Sequence, residues 1–363
     1  MATASARTPW WTWAFPALAG LALAATLALK VSGFAALGVG AVLVASVFAA
    51  VYHAEVVAHR VGEPFGTLVL ALAVTVIEVA LIVSIMLQGD PDKAALARDT
   101  VFAAVMIVCN GIVGLCLLAG GVRHHVQGFQ LQGALAALAV LAALTVLTLI
   151  VPNVTTTSPG PSLSPVQLVF SGVVSLVLYG AFVFIQTVRH RDYFLPAAAA
   201  ATSEDAHAPP PGNRAALLSL GLLLVCLVAV VGLAKALSPT LELAVAEAGA
   251  PKAVVGIAIA ALVLLPEGLA AYRAARLNRL QTSMNLALGS ALASIGLTVP
   301  AVAALSITLG QPLTLGLGPK DSVMLALTLL LSMITLGTGR TTVLQGVIHL
   351  SVFAAFLFYA IIP

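Results

Sequence analysis

The sequence predicts an all-α polytopic membrane protein with about eleven transmembrane helices: one N-terminal helix, then two inverted five-helix repeats. Three observations predict it. Hydrophobic residues make up 61% of the 363 positions and charged residues 8%, against about 45–50% and about 25% in soluble domains. Eleven apolar runs approach the roughly 20 residues that cross hydrocarbon. A carboxylate, Glu78 or Glu267, recurs at the matching place in two sets of five runs. The aromatic share is 6%, and unbroken Ala, Leu and Val runs replace the alternation of an outer-membrane barrel, so spanning helices are the remaining solution.

The runs lie at roughly 12–29, 32–52, 65–88, 100–121, 132–151, 165–188, 215–236, 252–272, 283–309, 322–338 and 342–362. Trp10, Trp11 and Trp13 open the first run and read as an interfacial anchor of a retained span rather than part of a cleaved signal. With the N-terminus in the cytoplasm, the inner segments carry ten basic residues, among them Arg60, Arg123, Arg189 and the trio Arg273, Arg276 and Arg279. The outer segments carry six, and that bias favours the N-terminus inside.

Residues 189–214 contain the alanine run 197–201 and Pro209-Pro-Pro, a composition that builds no packed core and reads as a disordered cytoplasmic linker. The chain therefore divides into an N-terminal tail and first span (1–31), a first five-helix repeat (32–188), the linker (189–214) and a second repeat (215–363). Because five is odd, the second repeat enters the membrane from the opposite side, which is the inverted arrangement of many secondary transporters.

The net charge of +3, with its basic residues at span ends, offers no nucleic-acid surface; the bilayer is the expected partner. Cys109, Cys116 and Cys226 fall inside apolar runs and set no disulfide framework. No nucleophile and base pair stands out, so an enzyme is not expected, and no cofactor is called for. Isolated polar groups rather than a continuous polar lining argue against a channel.

Glu78 and Glu267 each sit in the second span of their repeat, and an intramembrane carboxylate marks an ion or proton pathway by default. Pro266 and Gly268 flank Glu267, so the helix there is expected to kink or unwind and free carbonyl oxygens. Two acids at one site repel when both are ionised, and either protons or a cation relieves that repulsion. Such a site binds one or the other, and alternating access then yields antiport. Auxiliary oxygen donors are Thr75, one turn before Glu78, Asn110 in Met106-Ile-Val-Cys-Asn-Gly, and Ser290 and Ser294, four apart on one helix face. Glu63 and Asp99, near span ends, are candidates for the ion pathway, and His349 for pathway or pH tuning. His53, His59, His124 and His125 share a predicted side but lack the tight spacing of a transition-metal site.

His59-Arg-Val-Gly-Glu-Pro-Phe-Gly-Thr-Leu, the Glu78 segment, Arg98-Asp-Thr, Leu265-Pro-Glu-Gly, Met284-Asn-Leu-Ala-Leu-Gly-Ser-Ala and Gly339-Arg-Thr resemble the bacterial ChaA-type calcium/proton antiporters of the calcium/cation antiporter superfamily. The resemblance runs from about residue 53 to the C-terminus, broken by the linker. It implies an inner-membrane exchanger whose paired acids are Glu78 and Glu267, moving calcium against protons. Wider calcium/proton exchangers carry Gly-Asn-x-x-Glu in both repeats, whereas this chain has Val74-Thr-Val-Ile-Glu and Val263-Leu-Leu-Pro-Glu. The amide one turn before each acid is replaced by Thr75 and Leu264, which keeps sodium or potassium/proton exchange open beside calcium.

Overall fold

The computed structural model describes residues 9–28, 33–62, 65–86, 94–195, 211–311 and 313–362. Eleven helices run through them: α1 (Trp11–Ala28), α2 (Phe34–Val61), α3 (Phe65–Met86), α4 (Leu96–His124), α5 (Leu131–Asn153), α6 (Pro165–Arg189), α7 (Asn213–Glu247), α8 (Ala253–Arg276), α9 (Leu280–Leu309), α10 (Pro319–Leu336) and α11 (Val343–Ile361). Ten are long and apolar enough to span a bilayer, and α3 contributes the shorter apolar stretch Leu72–Ser84. The helical membrane protein the sequence predicts is thus the fold observed. α7 outruns its expected span by about half a turn at its start and three turns at its end, because Lys235, Pro239 and Glu242 end an apolar run without ending a helix.

By packing, the described chain forms two compact units that do not follow its two halves. One holds α1, α2, α3 as far as Ile77, and α7 as far as Ala244. In it Pro16 lies inside α1 and supplies no N–H to the carbonyl of Thr12. The ring Nε2 of buried His53 lies 2.9 Å from that oxygen and donates in its place. In a bilayer such a repair matters, since no water reaches a stranded carbonyl. Trp11 meets Tyr52 edge-on at 5.2 Å between centroids, and Arg60 donates to the Asn213 side chain, tying the end of α2 to the start of α7.

The other unit runs from Glu78 through α4, α5 and α6, then from Val245 through α8 to α11. Its centre is α4, nearly nine-tenths buried across its spanning window. Packing is reciprocal: α9 lies along α6, α4 lies along α11, and α5 meets α10. Helices α4 and α9, the third spans of the two expected repeats, thus each pack against the expected fifth span of the other half. Both fifth spans open with the same device. Ser164 and Gln167 form a capping box at α6, and Thr342 and Gln345 form one at α11. Without a hydrophobic force between helices in lipid, close approach depends on small residues. At Gly114 of α4 a Cβ would come within 3.1 Å of His349 Cβ and of the Leu350 backbone nitrogen on α11.

The start of the linker is ordered. Arg191–Phe194 make a 3-10 turn, Phe194 is buried edge-on to Phe182 at 5.7 Å, and its carbonyl accepts from Asn285 Nδ2 at 2.6 Å. Linker residues 196–210 lie outside the described residues.

Candidate cation-binding site

Among the described residues, Glu78 and Glu267 are the only buried acidic side chains, 2% and 7% exposed. Glu78 enters on α3. Its Oε2 accepts a hydrogen bond from Ser294 Oγ of α9, while its Oε1 is buried without a hydrogen-bond donor among the described residues. Glu267 enters on α8, which packs along the same α9. The helix runs unbroken from Ala253 to Arg276, so the unwinding expected at Pro266 does not occur. Proline still removes the N–H that the carbonyl of Leu262 would accept, and neighbouring helices let a membrane span tolerate that loss.

Of the auxiliary donors, Thr75 is buried one turn before Glu78 on α3, and Ser290 is half-buried one turn before Ser294 on α9. Asn110 stands in the π-helical turn Ile107–Ile112 within α4, an arrangement frequent at functional sites. Its Nδ2 donates to Thr328 Oγ1 of α10 at 2.8 Å, and its Oδ1 lies 3.2 Å from Nδ1 of His349 on α11. The structure thus brings Ser294 to Glu78, and Asn110 to His349.

Asp99, near the start of α4, is held by its neighbour: Arg98 Nε donates to Oδ1 at 2.8 Å, and Arg98 Nη1 reaches the Gly316 carbonyl at 3.0 Å. Glu63 lies outside the described residues. His53 serves Thr12, and His124 Nε2 meets the Arg276 carbonyl at 2.9 Å. No group of three His, Cys, Asp or Glu stands close enough to hold a metal among the described residues. Thr328 was not singled out from the sequence, where it is one of several hydroxyls in its span, beside Ser332 and Thr335.

The sodium/calcium exchanger protein family model matches residues 31–188 and 218–362. The chain belongs to this family. Its members are secondary transporters, not enzymes. The exchanger is 52% identical to the y4hA protein of Sinorhizobium fredii, which carries the name of an ionic transporter, over 99% of this chain and 98% of that one. It is 36% identical to the sodium-potassium/proton antiporter ChaA of Escherichia coli, over 87% of this chain and 85% of ChaA. Its fold is similar to that of the Ca2+/H+ antiporter YfkE, with a TM-score of 0.72 at 16% identity, covering 97% of the exchanger and 99% of YfkE. The exchanger is thus a multi-pass membrane protein that moves cations.

Proposed function

We propose that the exchanger moves calcium against protons across the bacterial inner membrane, with Glu78 and Glu267 binding the cation and the protons in turn. The observation that carries this reading is the meeting of repeats at an acid: Ser294, from the second repeat, donates to Glu78, from the first. A serine hydroxyl both donates and accepts, so Ser294 can bond to Glu78 and can also offer its oxygen to a cation. Ser290, one turn before Ser294 on the same helix, adds a further hydroxyl oxygen to this reading. With two acids, the site holds one divalent ion or the protons that replace it, and never needs both charges exposed to hydrocarbon.

The test is proton movement in proteoliposomes under an imposed pH gradient, with calcium, sodium and potassium added separately. Calcium should collapse the gradient, and Glu78→Gln and Glu267→Gln should each be silent while remaining monodisperse in detergent. Retained exchange in both variants would sink the mechanism.

Sodium or potassium/proton exchange on the same scaffold is the second reading. Leu264 and Thr75 stand where wider calcium exchangers place amides, and the relative ChaA is named for sodium and potassium. A response to those ions and not to calcium selects it.

A further inference from the structure

A hydrogen-bonded chain crosses three helices, α4, α10 and α11. Thr328 Oγ1 donates to the Met324 carbonyl of its own helix at 2.8 Å, which leaves its lone pairs to accept from Asn110 Nδ2. That fixes the amide: nitrogen toward Thr328, oxygen toward His349. An amide oxygen only accepts, so His349 Nδ1, 3.2 Å away, carries the ring proton. His349 is fully buried, as are Asn110 and Thr328. Both ends of the Asn110 amide are therefore engaged within the protein.

The same π turn touches the neighbour of the second acid. Ile112, two residues after Asn110, packs at Gly268, where a Cβ would come within 3.1 Å of Ile112 Cδ1. Gly268 follows Glu267 directly. On the other flank, Gly114 admits the backbone of α11 beside His349. A π turn has one residue more than an α turn can satisfy with its own ladder, so its register needs outside support. In a dry interior a polar chain gives that support, because each broken link strands a buried group.

We propose that Asn110 and His349 are positioning residues: through the π turn of α4 and Ile112 they set α8 at Gly268, and so hold the Glu267 carboxylate where the cation binds. The assignment rests on Glu267 being a cation ligand as proposed above. It makes Asn110 a support for the site and not one of its ligands.

The experiment measures half-saturating cation concentration and maximal rate in proteoliposomes for Asn110→Leu, His349→Leu, their double variant and Glu267→Gln, using whichever of calcium or sodium the wild type exchanges. Each single variant should raise half-saturation about 10-fold or more, as loss of outer support does at metal sites, with maximal rate little changed. The double variant should be no worse than the worse single. His349→Asn, whose amide N–H takes the place of Nδ1–H, should restore wild-type half-saturation. Thr328→Val gives the same readout, about threefold, should Asn110→Leu fail to accumulate. The assignment is overturned if Asn110→Leu is as silent as Glu267→Gln while His349→Leu behaves as wild type, for Asn110 is then a ligand. It is equally overturned if the variants lower the melting temperature with half-saturation unmoved. Exchange retained in Glu267→Gln brings down the reading beneath it, a result visible without the other variants.

Discussion

Glu78 and Ser294 stand 216 positions apart in the chain yet share a hydrogen bond, and the consequence can be measured at that single contact. Ser294→Ala removes the donor to Glu78 Oε2 and, with it, the hydroxyl oxygen it can offer to a bound cation, a loss of about 1–3 kcal/mol beside a charged, buried partner. Cation half-saturation should rise by about 10-fold as that ligand is lost, and Ser290→Ala, which removes a more distant oxygen, should raise it by about threefold; dose–response curves in vesicles distinguish them. Protons and cation compete for the same oxygens, so half-saturation should also rise as pH falls, and a pH-independent value would contradict shared occupancy. The two acids were legible from sequence because a carboxylate inside an apolar run has few inexpensive explanations. The partners of Asn110 were not: its amide oxygen meets a residue 239 positions away, and no local pattern encodes that distance.

Helices were legible as runs of apolar residues, and their ends were not. Apolarity reports how much of a helix lies in lipid, so it missed the extension of α7 to Glu247 beyond Lys235. Pro266 and Gly268 likewise suggested unwinding beside Glu267, where the helix runs on unbroken. The matched capping boxes of α6 and α11 carry the clearest local signal, Ser164-x-x-Gln and Thr342-x-x-Gln. Ser164→Ala and Thr342→Ala should each lower stability by about 1 kcal/mol, read as a small drop in detergent melting temperature with transport intact. Gly346→Leu should be far more damaging. A Cβ there would meet the backbone of Leu118, which a helix cannot move aside, and the expected outcome is loss of folded protein by size-exclusion chromatography.

The division of the whole molecule was hidden from the sequence in another way. Composition separates the chain at the linker, whereas packing groups α2, α3 as far as Ile77 and most of α7 with α1, and groups α4 to α6 with α8 to α11. Halves that exchange partners produce this pattern, since each expected third span packs against the other half's expected fifth. The eleven-span reading of the sequence places the two termini on opposite membrane faces, and a reporter tests it. We expect a reporter fused at the N-terminus to read cytoplasmic and one at the C-terminus periplasmic, and the reverse result would invert the topology without touching the fold.

The lengths of α2 and α7 carry one more consequence. They have 28 and 35 residues, so at about 1.5 Å per residue they extend roughly 42 and 52 Å, against a hydrocarbon layer of about 30 Å. Rods of that length in so thin a layer lean, or leave their ends in the headgroups, and the lean depends on acyl-chain length. Lipid thickness thus becomes a control variable for this exchanger: vesicles of short and long phosphatidylcholines should give different turnover at the same cation concentration.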